Sequence, residues 1–275
     1  MISSDDVDFC PEDLQTLLGE GGFGKVFSGK YQGQPVAVKQ FMDSSIDSAD
    51  FEKAITKEIK AWQSISHEPH ILTLVGVCTK ISHPILVSEL CRTNIRRYVR
   101  DHPDILILMI YQFAKGLATL HKANIIHRDL KGDNVLVSFQ GIVVVADFGL
   151  SRTVTSLHHT KSTVASTLNW MSPEQFLNAR NVTSKSDVWS FGMTLWEILC
   201  NEIPFYRCSE NEFRTEIFTT ATDRPEKPQN LDSTLEPLWS LITKCWLLDP
   251  EARPSAEEIV KHLESEYGFQ VKKSQ

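Results

Sequence analysis

The stretch His127-Arg128-Asp129-Leu130-Lys131-Gly132-Asp133-Asn134 carries the clearest information about the fold and function of this chain. It directly follows a long apolar segment with helical spacing, residues 105–121. Two short runs that look like strands come next, at 135–137 and 142–145, and Asp147-Phe148-Gly149 follows them. Charged and amide side chains at 127–134 and at Asp147, next to apolar helices and strands, indicate a catalytic or binding site.

The composition is that of an ordinary globular protein. The chain has 275 residues, of which 41% are hydrophobic and 23% charged, so one or two domains with a large core are expected. The net charge of −7 offers no positive excess for a polyanion, so we expect no nucleic acid partner. Six cysteines without paired spacing indicate free thiols and a cytoplasmic protein. The most apolar stretch, 105–111, predicts a buried helix and no membrane span.

The pattern of apolar residues divides the chain into a β-rich part and a helical part. Between residues 17 and 39, short β-type runs alternate with glycine, which predicts an antiparallel meander with turns near Gly22 and Gly33. A helix is predicted from Ser48 to a point before Pro69. Further strands are predicted at 72–78 and 85–88, and helices at 105–121, 188–200, 235–247 and 256–263. We therefore predict an α+β fold with a small β-rich lobe and a larger helical lobe.

A glycine-rich segment opens the meander. The sequence Gly19-Glu20-Gly21-Gly22-Phe23-Gly24-Lys25-Val26 fits the pattern G-x-G-x-x-G-x-V, in which missing side chains let backbone N–H groups approach phosphate oxygens. Two alternatives are a flexible hairpin and a dinucleotide-binding turn. The second needs a helix that begins within the glycines, whereas here a β-type run follows.

Lys39 ends the apolar run Val36-Ala37-Val38, so its stem can be buried while its ammonium must find an anion. Glu58 lies on the predicted helix that follows, on a face with Ile55 and Trp62, and its carboxylate can hold that ammonium. The alternatives are an edge-strand lysine and a surface glutamate without a partner.

Taken together, these motifs resemble the catalytic domain of eukaryotic protein kinases. The chain matches the family patterns H-R-D-L-x-x-x-N and D-F-G, and its V-A-V-K stands where the family usually has V-A-I-K. The resemblance covers residues 14–263 and implies the bilobal protein-kinase fold, in which the small lobe has one major helix. It implies an N-lobe at 14–88, a hinge at 89–93 and a C-lobe at 94–263. Residues 1–13 and 264–275 are then extensions.

The resemblance also assigns roles in phosphoryl transfer, a reaction in which the protein mainly positions reactants and offsets charge. Asp129 accepts or orients the proton of the substrate hydroxyl, and Lys131 reaches toward the transferred phosphate. Asn134 and Asp147 hold Mg²⁺, whose preferred ligands are oxygens. Lys39, paired with Glu58, holds the α- and β-phosphates of ATP.

Other residues match positions that contact ATP in this family. Val26, Ala37 and Leu136 match the apolar residues on either side of adenine. Backbone groups of Glu89 and Cys91 in the hinge match those that bind the adenine edge, and Ser88 matches the gatekeeper. The loop residues that match the phosphate-covering segment are Gly19, Glu20, Gly21, Gly22, Phe23 and Gly24.

The segment from Asp147 to Glu174 is rich in hydroxyl side chains, which in a protein without this resemblance would form a solvated loop. A phosphate added here brings about two negative charges and can dock on Arg128, ordering the loop. Thr160, Ser162 and Thr163 are the candidate phosphorylation sites. Glu174 and Arg253 match a structural ion pair of the family.

Lys131, Thr167 and Trp170-Met171 are most similar to the tyrosine-kinase-like branch of the serine/threonine kinases. The resemblance therefore implies a cytoplasmic enzyme that uses ATP and Mg²⁺ to phosphorylate serine and threonine in protein substrates. Regulatory domains outside this sequence are expected as further partners. Two alternatives stay open: a catalytically weak pseudokinase that acts as a scaffold, and a tyrosine or dual-specificity kinase.

Overall fold

The fold is taken from a computed structural model of the chain. It confirms the predicted α+β organisation, with a curled antiparallel sheet in the small lobe and a helical large lobe. The residues described are 2–21, 24–41, 59–79, 81, 83–148 and 168–269.

The small lobe is built on one antiparallel sheet. Its strand order is β1-β3-β4-β6-β5, and β2 also pairs with β3. The predicted turn near Gly33 joins β3 to β4, and positive φ angles at Gln32 (49°) and Gly33 (79°) suit a tight hairpin turn. The strands are β1 (Val7–Asp8), β2 (Leu17–Gly21), β3 (Gly24–Tyr31), β4 (Gln34–Gln40), β5 (Leu74–Cys78) and β6 (Ile85–Glu89).

The strand register separates the two faces of this sheet. Val26 pairs with Lys39, Lys39 with Leu86, and Ala37 with Ser88, and paired residues point to the same face. Side chains alternate along a strand, so Lys39, Ala37, Val26 and Ser88 share one face. The opposite face carries a separate apolar cluster that includes Val38, which is fully buried. One face thus forms a core and leaves the other for the site.

Residues 2–9, which the sequence assigned to an extension, cover that apolar face. Val7 belongs to its buried cluster, and Ile2 and Phe9 pack against it. The Ile2 N–H donates to the carbonyl of Val77 at 3.0 Å, and β1 adds a strand beside Tyr31. The domain boundaries stay a prediction, but this segment stabilises the small lobe.

The large lobe consists of helices around a second, larger core. A small sheet lies between the lobes, with strands β7 (Thr93–Asn94), β8 (Val135–Val137) and β9 (Val143–Val145). The first helix, α1, is described over residues 59–65 and belongs to the small lobe. The others are α2 (Ile95–Asp101), α3 (Leu106–Lys122), α4 (Pro173–Leu177), α5 (Ser184–Cys200), α6 (Glu210–Glu212), α7 (Glu236–Cys245) and α8 (Ala256–Tyr267), and a π-helical turn, Phe213–Ile217, follows α6.

Helices α3 and α5 form the centre of this core. Ile110, Phe113 and Leu117 of α3 have no exposed surface, and the rings of Phe113 and Phe191 lie 4.7 Å apart. By length and composition alone, the stretch Pro103–Lys122 could cross a membrane. Eight residues of α3, among them Met109, Ile110 and Phe113, are buried in the lobe.

The two lobes are held together beside the site. Val145 of β9 donates its N–H to the carbonyl of His70 at 2.9 Å, and Leu72 donates to the carbonyl of Val145 at 3.0 Å. A Cβ atom at Gly116 of α3 would lie 2.7 Å from the His70 carbonyl oxygen, so only glycine allows α3 to pass this close. These backbone contacts fix β9, and with it Asp147, relative to the small lobe.

Candidate active site

The catalytic loop, residues 127–134, is held in place by hydrogen bonds to Asp187 of α5. The backbone N–H groups of His127 and Arg128 each donate to this carboxylate at 2.8 Å. A ring nitrogen of His121 lies 2.9 Å from the same side chain. Asp187 is only 1% exposed, so the position of the loop is set by a rigid, buried helix.

Arg128 has a left-handed backbone, with φ of 72°. Such a conformation costs a residue other than glycine about 1–3 kcal/mol and persists only where its surroundings fix it. Here both sides of Arg128 are held: Asp187 accepts from its N–H, and its carbonyl accepts from the side-chain amide of Gln175 at 2.9 Å. The direction of the next residue, Asp129, therefore depends on these two partners.

Sequence analysis did not identify Gln175 as a functional residue. Gln175 follows Pro173-Glu174 on α4. The only feature of the sequence that could have indicated a role is its amide side chain, which the helix does not need in order to form. Its other amide atom, Oε1, is buried and has no hydrogen-bond partner among the described residues. A buried polar group that forms no hydrogen bond costs free energy. Its presence here supports a role for Gln175 beyond packing.

Asp129 lies at the centre of the loop and is 8% exposed. Its Oδ2 accepts from the side-chain amide of Asn134 at 3.0 Å and lies 3.4 Å from the Lys131 ammonium. The same Asn134 amide donates to the Asp129 carbonyl at 2.7 Å. Within the described part of the chain, Oδ1 has no hydrogen-bond partner. One carboxylate oxygen is thus fixed and the other is available to accept a hydroxyl proton.

Lys39 and Asp147 bring the two lobes together at the site. The Lys39 ammonium lies 2.7 Å from Oδ2 of Asp147. Burial raises the pKa of Asp147, but the charge and hydrogen bond of Lys39, with smaller contributions from His127 and Lys131, outweigh it and hold the pKa below its ordinary value. Asp147 is therefore ionised at neutral pH. Glu58, the predicted partner of Lys39, lies outside the described residues.

Asn134 and Asp147, the predicted metal ligands, are neighbours in the fold. Ala146, which precedes Asp147, donates its N–H to the carbonyl of Asn134 at 2.9 Å. The residues described contain no group of three or more acidic, histidine or cysteine side chains arranged so that it could hold a metal ion. One carboxylate and one amide are too few for a site made by protein alone, but they suit Mg²⁺, which is usually held by one or two carboxylates, waters and substrate phosphates.

Phe148 anchors the segment that carries Asp147. Its ring is 3% exposed and lies 5.1 Å from the ring of Trp62 and 6.3 Å from that of His127. The His127 ring also contacts the Ala146 carbonyl at 2.8 Å. Burial lowers the pKa of His127 despite the nearby carboxylates, so this imidazole stays neutral and acts as a structural partner.

The small-lobe residues that the sequence predicts to contact the nucleotide share the face of the sheet opposite Val38. Val26, Ala37 and Ser88 share that face, and Ser88 is 6% exposed. Leu136 is half-buried, whereas Val135 and Val137 on either side of it in β8 are fully buried. This pattern leaves Leu136 as the apolar side chain of β8 that is accessible to a ligand.

The hinge is attached to both lobes. Glu89 donates its N–H to the Thr73 carbonyl at 3.0 Å, and its carboxylate accepts from the Thr73 N–H at 2.8 Å. Arg92 donates to the Val137 carbonyl at 2.8 Å. Cys91 between them is half-buried, and burial, aided by Glu89, raises the pKa of its thiol to about 12.

The glycine-rich loop joins β2 to β3 as a hairpin. Gly19 pairs with Val26 and Gly21 with Gly24, so a strand follows the glycines and the dinucleotide-binding alternative is wrong. Gly24 has φ of 138°, and a Cβ atom there would lie 2.0 Å from the Gln40 carbonyl oxygen. The tip, Gly22 and Phe23, lies outside the described residues.

The segment after the site ends in a buried ion pair. Arg253 makes two hydrogen bonds to the Glu174 carboxylate, at 2.7 and 3.0 Å, and is 1% exposed. Ser186 also donates to Glu174 at 2.8 Å. Burial raises the pKa of Glu174, but the hydrogen bond and charge of Arg253 outweigh it and lower the pKa. The predicted Glu174–Arg253 pair is therefore present.

A second buried carboxylate, Glu197 of α5, was not predicted as part of the site. It accepts from the Gly132 N–H and the Trp170 indole, both at 2.9 Å, and from Arg96 of α2 at 3.2 Å. A Cβ atom at Gly132 would lie about 3 Å from this carboxylate. Glu197 thus connects the catalytic loop to α2 and to the residues that precede α4.

The candidate phosphorylation sites Thr160, Ser162 and Thr163 lie outside the described residues, so their role stays a prediction.

Comparisons with known proteins agree with this geometry. A family model described as "Protein tyrosine and serine/threonine kinase" matches residues 13–263. Mitogen-activated protein kinase kinase kinase 12 of Rattus norvegicus is 32% identical over 92% of this chain and 27% of its own length. Mitogen-activated protein kinase kinase kinase 10 of Homo sapiens is 33% identical over 94% of this chain and 28% of its own length. Dual specificity protein kinase shkC of Dictyostelium discoideum is 34% identical over 92% of this chain and 51% of its own length. The chain thus spans only about a quarter to a half of these relatives.

Proposed function

Because this chain belongs to the protein tyrosine and serine/threonine kinase family, we propose that it transfers the γ-phosphoryl group of MgATP to serine and threonine hydroxyls of proteins. Membership of the family implies ATP, a divalent metal ion and protein substrates. The finer assignments, Mg²⁺ held by Asn134 and Asp147 and a cytoplasmic location, are part of the proposal. The observation that carries it is Oδ1 of Asp129, a buried carboxylate oxygen that has no hydrogen-bond partner among the described residues. It lies in a loop whose backbone is held by Asp187, Glu197 and Gln175.

Each residue of the site has a task in this reaction. Phosphoryl transfer passes through a loose, highly charged transition state, so positioning and charge compensation dominate catalysis. Oδ1 of Asp129 orients the acceptor hydroxyl and takes its proton, while Asn134 holds Oδ2. Lys39, which is held by Asp147, binds phosphate oxygens from the small lobe. When bound, Mg²⁺ would neutralise phosphate charge at Asn134 and Asp147.

The choice of serine and threonine rests on the catalytic loop. Lys131 lies 3.4 Å from Oδ2 of Asp129, so a positive charge stands beside the acceptor. This lysine matches the serine/threonine version of the loop, and two relatives are named as kinases that act on another kinase. We propose that other protein kinases are among the substrates of the full-length protein. One relative is named as a dual-specificity kinase, so tyrosine is the second candidate acceptor.

The pseudokinase alternative predicts nucleotide binding without transfer. Lys39, Asp129, Asn134 and Asp147 are all present. Lys39 bonds to Asp147, Asn134 bonds to Asp129, and Ala146, which precedes Asp147, bonds to Asn134, which supports an active enzyme. The test is transfer of labelled phosphate from ATP to a generic protein substrate, followed by phosphoamino-acid analysis. We expect label on serine and threonine, and binding of ATP without transfer would contradict the proposal.

The matched control is Asp129→Asn, which keeps the size of the side chain and removes its basicity. We expect activity to fall by about 10²- to 10⁴-fold, the range for loss of a general base, with an unchanged melting temperature. Transfer at the rate of the unaltered chain would contradict the role of Asp129.

Regulation by phosphorylation at Thr160, Ser162 or Thr163 is also proposed. A phosphate at one of these sites would add charge that Arg128 can bind. Phosphatase treatment followed by the same transfer assay tests this, and unchanged activity would contradict it.

A further inference from the structure

Helix α2 carries a group of arginines that the proposed reaction does not use. Arg92, Arg96, Arg97 and Arg100, here called the arginine face, lie in one short segment of a chain whose net charge is −7. Ile95 and Val99 of the same helix are buried in the core. Because successive helical residues are about 100° apart, Arg97 and Arg100 lie on the side away from that core, and Arg96 lies at its edge and is half-buried.

This face borders the catalytic loop. Asn94, which caps α2 by accepting from the Arg97 N–H at 3.0 Å, donates its side-chain amide to Asp133 of the loop at 2.9 Å. Arg96 contacts Glu197, which in turn accepts from the N–H of Gly132 in the same loop. Two separate contacts thus fix the arginines beside the loop that contains Asp129.

Half of the positive charge of the face is not compensated by an ion pair within the described residues. Arg96 is paired with Glu197, and Arg100 forms a solvent-exposed pair with Asp101 at 3.0 Å. Arg92 and Arg97 are exposed, and neither forms an ion pair with another residue in the described ranges. Because Arg96 already occupies Glu197, that carboxylate does not attract a basic group of a substrate.

We propose that the arginine face selects protein substrates with carboxylate or phosphate groups within a few residues of the acceptor hydroxyl. The inference rests on the proposed kinase function and names the substrate class of that site. Guanidinium groups bind carboxylates and phosphates through paired hydrogen bonds, and a local positive field speeds encounter with an acidic partner. An extended peptide advances about 3.3 Å per residue, so flanking residues can reach α2 while the acceptor lies at Asp129.

The experiment compares peptides that differ only beside the acceptor. A neutral peptide is measured first, and its phosphorylation establishes kinase activity independently of the inference. Versions with flanking glutamate, phosphoserine or lysine are then compared by kcat/KM. We expect the glutamate and phosphoserine peptides to exceed the lysine peptide by about tenfold or more, at about two- to five-fold per arginine. The ratio should fall with added salt, since these charges are exposed.

Charge reversal identifies the residues responsible. The variant Arg97→Glu, Arg100→Glu should lose the preference for acidic peptides while its rate on the neutral peptide changes little. The control Lys244→Glu, Lys261→Glu makes the same change of net charge at exposed positions elsewhere and should retain the preference.

Three results would overturn the inference. One is an equal rate on acidic and basic peptides by the unaltered chain, and another is an unchanged preference after reversal of the arginine face. The third concerns a membrane as the acidic partner: vesicles with anionic lipid may bind the unaltered chain but not the reversed variant. If that happens while peptide preference stays the same in both, the face serves a membrane and not substrates.

Discussion

The catalytic loop and the glycine-rich hairpin both border the candidate active site, but the structure holds them in place in different ways. The loop is held by side chains that bind its backbone directly: the buried Asp187 and Glu197 and the half-buried Gln175. The hairpin is held by strand pairing, in which backbone binds backbone. Single side chains should therefore control the geometry of the large lobe, whereas space for the backbone should control that of the small lobe.

Among the variants that test this difference, we expect the largest loss of stability and activity at Asp187. Replacement Asp187→Ala leaves the buried N–H groups of His127 and Arg128 without their acceptor, at about 1–3 kcal/mol each. We expect the free energy of unfolding to fall by about 2–6 kcal/mol, as measured by urea denaturation, together with a large loss of activity. Asp187→Asn keeps one acceptor oxygen and should lose less. Equal effects of the two variants would show that hydrogen bonding to the loop is not what Asp187 provides.

Two glycines of the hairpin provide the matching test for the small lobe. A side chain at Gly24 would collide with the Gln40 carbonyl, whereas nothing lies within 4 Å of a Cβ atom at Gly19. Gly24→Ala should move the hairpin and raise the KM for ATP by about tenfold, the equivalent of about 1.4 kcal/mol of strain. Gly19→Ala should have a much smaller effect. A similar KM in both variants would argue against control by backbone space.

Gln175 tests whether a weaker side-chain contact still positions the loop. Gln175→Leu removes the donor to the Arg128 carbonyl but keeps the approximate volume of the side chain. We expect kcat to fall about five- to tenfold, since such a hydrogen bond contributes about 1 kcal/mol, with an unchanged KM for ATP. If Gln175 only packs, the variant will change the melting temperature and leave kcat as it was.

The smallest effect concerns Cys91 at the hinge. Burial raises the pKa of its thiol to about 12 from an ordinary value of 9.0, so the folded protein holds the proton more tightly than the unfolded chain. The stability that this proton contributes is complete below about pH 9 and is lost as pH rises toward 12. Alkylation of Cys91, followed by intact mass, should be slow at pH 7.5. Fast labelling that ATP prevents would contradict a buried neutral thiol.

Much of the fold follows from local patterns in the sequence. The spacing of apolar residues predicts helix α3 to within one residue at each end, and the glycine at 33 correctly predicts the hairpin turn. Helix α2 escaped prediction because only Ile95 and Val99 are buried, too few for a recognisable period. Strand β1 escaped because its pairing with β3 joins residues far apart along the chain.

The sequence identifies the residues that are proposed to act on substrate, but not the residues that support them. Asp129, Asn134 and Asp147 belong to short motifs that can be read in one stretch of sequence. Asp187, Glu197 and Gln175 reach the loop only because distant helices pack against it. Nothing in the local sequence around them encodes that contact, so only the folded structure reveals it.

The paired backbone of residues 70–72 and β9 has a mechanical consequence. In the described residues the backbone joins the lobes at two places, the covalent hinge and these hydrogen bonds between His70, Leu72 and Val145. The side-chain contacts of Lys39 with Asp147 and of Trp62 with Phe148 lie beside the second place. A body held at two separate places turns about the line through them and resists other motions. The cleft should therefore open and close by rotation about one axis, while Lys39 and Asp147 keep their contact.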